Sequence, residues 1–274
     1  MRYVPPYNTS NSVHLFNRTI LKKAVYILLS VLLLAACSQQ KEPSVTLIAH
    51  GGGAIEGHIL TNSMEAARAA LMNGYRFIEF DLQYTRDSIL VAAHSWREFN
   101  EMTGFAQKLD TAPTYSEFTA RRIYEKYTPA TAYSILYFFL CHPEAYLVTD
   151  KLSDPALLTR YFAPIKRRMA VEAFNYDDYV ALQKSGFYLP VYSCMASDIY
   201  SAATKHLLFH SLFDGPKIEW LDIDTSVYTY AYYKLLYRLC DFGVFLFTVN
   251  DPRQIPEGYR DNVHFIYTDS LTRY

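Results

Sequence analysis

The chain has 274 residues, 51% of them hydrophobic and 19% charged, which is enough apolar material for one sizeable core and excludes a disordered chain. Its formal net charge is −1; the first 36 residues hold four bases and no acids, so a chain cut after them carries 22 bases against 27 acids. That balance argues against a nucleic-acid partner held by a basic surface.

Taken in chain order, the first feature is an address. Arg18, Lys22 and Lys23 precede an apolar run from Ala24 to Leu34, closed by Leu34-Ala35-Ala36-Cys37. The run is too short to span a bilayer, and its ending is the pattern of a secretory signal peptide with a lipoprotein cleavage site before the cysteine. The expected organisation is a signal peptide over 1–36, a tether over 37–44 beginning with lipidated Cys37, and one domain over 45–274. This implies a cell-envelope protein on the periplasmic or outer-membrane face, with a membrane contact through its N-terminal lipid anchor; a cleaved soluble secretory protein is the alternative. Cys141, Cys194 and Cys240 then remain, enough for one disulfide at most, and their apolar surroundings predict buried thiols.

Apolar, β-branched or aromatic runs recur near 45–49, 76–82, 145–150, 169–174, 188–194, 217–223, 243–249 and 263–268. Helix-like stretches lie between them, notably 62–73, 131–140, 176–185, 197–209 and 226–239. Alternation of this kind predicts parallel βαβ units, and eight strands in a domain of this length predict an α/β fold of the (β/α)8 TIM-barrel type. Asn62 or Ser63 can cap the first helix, and Asn73-Gly74 can end it. The segment at about 95–128 is polar, mixed and rich in Arg, Glu and Tyr. It reads as an insertion on the catalytic face, partly helical, with substrate contact and plain solvated connection as equal readings.

The chemistry concentrates early. One apolar run ends in His50, the next carries Glu79 and Asp81 two residues apart, and a third stops at His94. In a strand, residues i and i+2 share a face, so both acids project to one side of Phe77-Ile78-Glu79-Phe80-Asp81-Leu82. Two like charges on an apolar strand need solvent or a cation, and a hard divalent ion with oxygen ligands is one answer. An isolated E-x-D is more often an exposed edge; the flanking histidines favour a site.

These residues resemble the N-terminal part of the glycerophosphodiester phosphodiesterase family, a branch of the phospholipase C-like phosphodiesterase barrels. The matching positions are His50 with Gly51 and Gly52, Asn62 with Ser63, Glu79 with Asp81, and His94. Weaker echoes follow in the same order, in Tyr146-Leu147-Val148-Thr149-Asp150-Lys151, Phe247-Thr248-Val249-Asn250 and Tyr267-Thr268-Asp269. The chain departs from the family pattern at Gly51, where an arginine usually helps hold phosphate, at Thr61 for a glutamate, and at Asp150 for the third glutamate ligand. Aspartate at that last place is also similar to spider-type phospholipases D, so reaction type transfers better than substrate.

The resemblance implies a metal-dependent phosphodiester hydrolase that releases glycerol 3-phosphate and an alcohol. Its cofactor would be a divalent cation, Mg2+ or Ca2+, held by Glu79, Asp81 and Asp150. His50 would be the general base and His94 the general acid, since imidazole suits proton transfer near neutral pH. Lys151 would bind substrate in place of the missing arginine, or else be a surface lysine, and Asn250 would help shape the pocket. The expected partner is a small phosphodiester or a lipid headgroup, with no nucleic acid. Alternatives are a phospholipase C- or D-like enzyme acting on lipid headgroups and a non-catalytic lipoprotein binding a phosphorylated ligand. Glu56 and His58 have no counterpart in the motif and read as solvated loop residues; His142, His206, His210 and His264 read as scattered structural or surface histidines. Most of the 25 tyrosines, including Tyr228, Tyr230, Tyr232 and Tyr233, read as packing or surface residues.

Overall fold

Eight parallel strands close on themselves. The computed structural model describes residues 45–105, 109–194, 220–224, 243–251, 253 and 263–270. The strands are β1 (Thr46–Ala49), β2 (Phe77–Tyr84), β3 (Leu90–Ala92), β4 (Tyr146–Asp150), β5 (Met169–Ala173), β6 (Leu189–Cys194), β7 (Trp220–Asp224), β8 (Gly243–Phe247) and β9 (Val263–Thr268). Their order is β1-β9-β8-β7-β6-β5-β4-β2, and β1 also pairs with β2, so the ring has no open edge. β3 is the exception: it folds back antiparallel on β2, pairing Leu82 with Ala92 and Tyr84 with Leu90. The (β/α)8 barrel expected from the alternation of apolar runs is therefore present, and all eight expected runs contribute a strand.

Described helices are α1 (Met64–Met72), α2 (Trp96–Met102), α3 (Tyr115–Ala120), α4 (Ala132–Cys141), α5 (Pro155–Phe162) and α6 (Tyr176–Lys184). Of the two residues that could cap α1, Ser63 does so, accepting from the Ala66 N–H at 3.2 Å. The helix exit uses Gly74, at φ +93°, while Asn73 keeps a negative φ. α5 escaped the periodicity reading although Asp154 caps it and Pro155 opens it, a strong start signal. The expected helices at 197–209 and 226–239 lie outside the described residues, as do the expected signal peptide, Cys37, Cys240, His206, His210 and the tyrosines at 228–233. Among the described residues, no helix is long and apolar enough to cross a membrane.

Two apolar compartments sandwich the strands. Outside the barrel, Ala67, Ala70, Ile135, Phe138, Leu158, Phe162 and Leu182 of the helices pack on outward residues such as Ile78, Phe80, Leu147 and Val171. Inside, Ile48, Phe77, Val148, Ala170, Val191 and Phe245 fill the floor, with Phe245 stacked on Phe265 at 4.2 Å between ring centres. Two residues further along each of several strands, the inward side chain turns polar: Ile48 gives way to His50, Phe77 to Glu79 and then Asp81, Val148 to Asp150, Ala170 to Glu172, Val191 to Ser193. The period of two thus carries an apolar floor directly into a polar mouth at the strands' C-terminal ends.

The segment expected as an insertion folds into α2 and α3 around a small core of its own, built from Val91, Ala93, Phe99, Phe118, Ile123 and Tyr127. Glu56 is exposed, as expected, and His58 half-buried, but they are not idle loop residues. Glu56 pairs with Lys126 at 2.5 Å and accepts from the Tyr127 hydroxyl at 2.8 Å, and His58 stacks on Tyr124 at 3.8 Å. They fasten the loop after β1 to this segment, a long-range contact that motif matching could not see. Cys141 departs from the expected buried thiol: it is the last residue of α4, on the exposed face of that helix.

Candidate active site

A cavity of about 440 Å³ opens at the polar end of the barrel, and His50, Glu79, Asp81, His94, Asp150 and Lys151 all line it. Six of the seven residues anticipated at the site are therefore brought together. Asn250 is the seventh; it stands behind the cavity wall and reaches the site through Asp269.

Acids on β2 and β4 form one side. Asp81 pairs across the strands with Asp150, and Glu79 with Val148, so register alone sets two carboxylates side by side. One oxygen from each of Glu79, Asp81 and Asp150 falls within 4.8 Å of the others. Burial, then the neighbouring charges of Asp81 and Asp150, push the Glu79 carboxyl well above its usual range; burial and Asp81 do the same to Asp150. Asp81 is different. Burial would raise it too, but Lys151 and Asn62 hold it below the usual value. Lys151 Nζ donates to Asp81 Oδ1 at 2.5 Å, and Asn62 clamps the same residue twice, from Nδ2 to Oδ2 at 2.7 Å and from the Asp81 N–H to its own Oδ1 at 3.0 Å.

This group of acids has coordination to spare. Among the described residues, Glu79 Oε1 and Asp150 Oδ1 are buried without any hydrogen-bond partner. Buried polar atoms are nearly always paired, because desolvation without a bond costs about 1–3 kcal/mol. An all-oxygen set of three carboxylates with two orphaned oxygens suits a hard divalent cation, either Mg2+ or Ca2+. The shorter Asp150 still brings its oxygens into the group.

Beside the acids, on the strand next to β2, His50 ends β1 in a short 3-10 turn over His50–Gly52. Gly51 sits at φ +55°, and a Cβ there would lie 2.6 Å from the Leu60 backbone, so no side chain fits while the loop keeps this path. The missing arginine is thus structural as well as chemical, because Leu60 occupies its exit. In return, the Gly51 N–H donates to Glu79 Oε2 at 2.5 Å. His50 Nδ1 lies 2.9 Å from Asp269 Oδ1, and an ionised carboxylate only accepts, so Nδ1 carries the hydrogen and Nε2 has the free lone pair. Asn250 completes the chain. Its Nδ2 donates to Asp269 Oδ2 at 2.7 Å and its Oδ1 accepts from the Asp269 N–H at 2.8 Å. Burial opposes ionisation of Asp269, but the bonds from His50 and Asn250 outweigh it and keep the carboxyl below its usual range.

His94 is held by a second, more exposed device. Ser95 caps α2 and donates to Glu98 Oε2 at 2.9 Å, and that carboxylate also takes His94 Nδ1. The His94 carbonyl accepts from Gln83 Nε2 at 2.9 Å and from Lys151 Nζ at 2.8 Å. Lys151, expected to meet phosphate, is thereby shared between an acid of the group and the backbone of a histidine. Asp269, Glu98 and Glu172 were the residues that motif reading missed as site members. Glu172 lines the cavity and accepts from the Tyr267 hydroxyl at 2.5 Å. Inward alternation from Phe265 through Tyr267 would have found Asp269, and the Ser95-x-x-Glu98 spacing would have found Glu98.

Residues 53–149 match the glycerophosphoryl diester phosphodiesterase family. No curated protein sequence matches the chain. Solved structures with the same fold include a glycerophosphodiester phosphodiesterase from Parabacteroides distasonis, 20% identical with a TM-score of 0.60 over 83% of this chain and 94% of the other. A phosphodiesterase from Oleispira antarctica, in complex with the product sn-glycerol-3-phosphate, is 17% identical with a TM-score of 0.64 over 84% and 94%. A glycerophosphodiester phosphodiesterase from Thermotoga maritima is 18% identical, at 0.62 over 82% and 94%. At these identities the likeness establishes the barrel.

Proposed function

We propose that the chain, whose residues 53–149 match the glycerophosphoryl diester phosphodiesterase family, is a phosphoric diester hydrolase that cleaves glycerophosphodiesters to glycerol 3-phosphate and an alcohol, with a divalent cation as cofactor. One observation carries the reading. Two imidazoles, each fixed at Nδ1 by a carboxylate, line the same cavity as three clustered acids with two orphaned oxygens.

Glu79, Asp81 and Asp150 would hold Mg2+ or Ca2+, which when bound supplies Lewis-acid neutralisation of the phosphoryl oxygens. The chain's own residues do the proton work. His50 Nε2, its lone pair exposed to the cavity by the Asp269 bond, takes the proton of the attacking hydroxyl. Water gives glycerol 3-phosphate directly, whereas the glycerol hydroxyl beside the phosphate gives a cyclic phosphate that water then opens to glycerol 3-phosphate with the two histidines' roles exchanged. As that oxygen bonds to phosphorus, the bond from phosphorus to the departing alkoxide breaks, and protonated His94 gives its Nε2 proton to that alkoxide. Glu98 at Nδ1 fixes the orientation of the His94 ring, as a triad carboxylate does. Lys151 keeps Asp81 ionised and leaves a positive charge at the cavity wall where phosphate would lie; Asn250 acts through Asp269 rather than on substrate.

For location, Cys37 and the segment before it support a lipid-anchored protein of the cell envelope, facing the periplasm or outer membrane. Replacing Cys37 by alanine should then move the protein from the membrane to the soluble fraction of fractionated cells. Activity is tested with protein expressed from Ser38, on glycerophosphocholine, glycerophosphoethanolamine and bis-p-nitrophenyl phosphate, with EDTA, Mg2+ or Ca2+. Cation-dependent release of glycerol 3-phosphate that disappears in His50→Ala is the expected result. Turnover that survives EDTA, or that survives the substitution, would remove the assignment.

A further inference from the structure

His94 and Lys151 line two cavities. Besides the one that holds the acids, they border a second, of about 580 Å³, whose lining also includes Tyr84, Trp96, Arg97 and Asp110. The volume is that of an ordinary small-molecule site. Its position relative to the chemistry is informative. On the proposed reaction His94 protonates the departing alkoxide, so the alcohol lies on the side of phosphorus nearest His94, which is the side on which this second cavity begins.

The lining discriminates among alcohols. Among the described residues its one acid, Asp110, is closed by Arg97 at 2.5 Å, and the other charged side chain is the Lys151 ammonium, itself committed to Asp81. Counting charged side chains, Arg97 and Lys151 face one Asp110, so the lining is positive by one. Among the described residues a quaternary ammonium would meet cations and no unpaired acid, and a single indole beside one tyrosine is a poor aromatic cage. Hydroxyl groups fare differently. A guanidinium fork offers donors, the carboxylate offers acceptors, and Trp96 and Tyr84 offer apolar ring surface for C–H faces.

We propose that the alcohol released by this enzyme is an uncharged polyol or sugar, and that it occupies this second cavity with Trp96 and the Arg97–Asp110 pair as its recognition elements. The proposal rests on the diesterase reading of the neighbouring cavity and narrows it to a substrate class. It also gives the segment between β3 and α4 a task, since Trp96 and Arg97 open α2 and Asp110 precedes α3. That segment sets the alcohol, while the barrel ring sets the chemistry.

The test compares kcat/KM for glycerophosphoinositol, bis(glycero)phosphate and glycerophosphocholine, with bis-p-nitrophenyl phosphate as a diester lacking both groups. The wild-type enzyme with Mg2+ or Ca2+ should favour the two polyol diesters over the choline diester by at least about tenfold. Arg97→Glu should collapse that ratio toward one or below, mainly through KM, as expected for a contact made equally in ground and transition states. Arg97 is exposed, so its substitution leaves folding intact; Trp96 packs on Phe99 and Phe118, and Trp96→Ala is a supporting variant read only after its fold is checked. A wild-type preference for choline, or a ratio unmoved by Arg97→Glu, overturns the proposal while leaving the diesterase reading standing. Absence of hydrolysis of every diester with either cation removes both.

Discussion

Two carboxylate sets stand at the mouth of the barrel on either side of β1, and they differ in completeness. Asp269 accepts from His50 and from Asn250, which itself accepts from the Asp269 N–H and takes a bond with the Thr268 hydroxyl. Glu79 and Asp150, on the other wall, each keep a buried oxygen without a hydrogen-bond partner among the described residues, and burial holds both carboxyls toward the neutral form. Both walls arise from the same local rule, an inward residue two places beyond an apolar one. The finished wall orients a base; the unfinished wall is a place for charge to arrive.

The largest effect should therefore come from removing a charge on the unfinished wall. Glu79→Gln keeps an oxygen for the Gly51 N–H but takes away a ligand, and several kcal/mol of Lewis-acid stabilisation correspond to a loss of about 10³-fold or more in kcat. Without cation, its melting temperature should stay close to wild type, because the native carboxyl is already biased to the neutral form. With Mg2+ or Ca2+, wild type should gain stability and the variant should not. Equal gains in the two proteins would refute the assignment of Glu79 as a ligand.

The same contrast sets a pH dependence. A carboxyl raised in the folded state contributes stability that is present below its unfolded value, 4.5 for Glu79 and 3.8 for Asp150, and is lost as pH rises through the raised value. The cation-free protein should lose stability over that rise, and cation should offset the loss, since binding requires the ionised forms. The melting-temperature gain on adding cation should grow with pH from acid toward neutral; a gain that is flat with pH would contradict the buried, proton-holding state of these acids. Asp269 has the opposite sign. Lowered in the folded state, it contributes stability above 3.8 that is lost as pH falls through its lowered value.

Next in size is Asp269→Asn. An amide in place of the carboxylate can present a donor to His50 Nδ1, which favours the tautomer with hydrogen on Nε2 and so removes the base. A loss of roughly 10²-fold or more in kcat is expected, with cation-induced stabilisation retained. Loss of both together would mean that Asp269 holds up the fold rather than the histidine. Asn250→Ala should cost less, about tenfold, because Asp269 keeps its bond to His50 when Asn250 is gone.

The contrast also explains what could be read from the chain and what could not. Strand positions were legible because eight apolar runs had nowhere to go but a barrel, and His50, Glu79 and Asp81 were legible because strand alternation is local. Asp150 needed the register that sets it beside Asp81, which the motif echo supplied. The partners of the histidines were harder. Asp269 reaches His50 across 219 residues of sequence, a neighbour created only when β9 pairs with β1 and closes the ring. Lys151 was legible as a cation near the site, but its share in fixing the His94 backbone depends on a hairpin, β2–β3, that periodicity passed over because β3 spans only Leu90–Ala92.

An effect of the same modest size distinguishes the two histidines. Glu98 is fixed by Ser95 on a short helix and is far more exposed than Asp269, with side-chain exposures of 40% and 9%, so its hold on His94 is weakened by solvent. Glu98→Gln should slow release of a poor leaving group such as glycerol by about tenfold, because that step needs a proton from His94. An aryl leaving group departs without that proton, so bis-p-nitrophenyl phosphate should lose several-fold less. If the two substrates lose equally, Glu98 is acting on the cavity's shape or on cation binding, and the acid must be sought elsewhere. If only the alkyl diester suffers, the short helix after β3 is tied to the departure step, and the more exposed of the two histidines is the one that meets the alcohol.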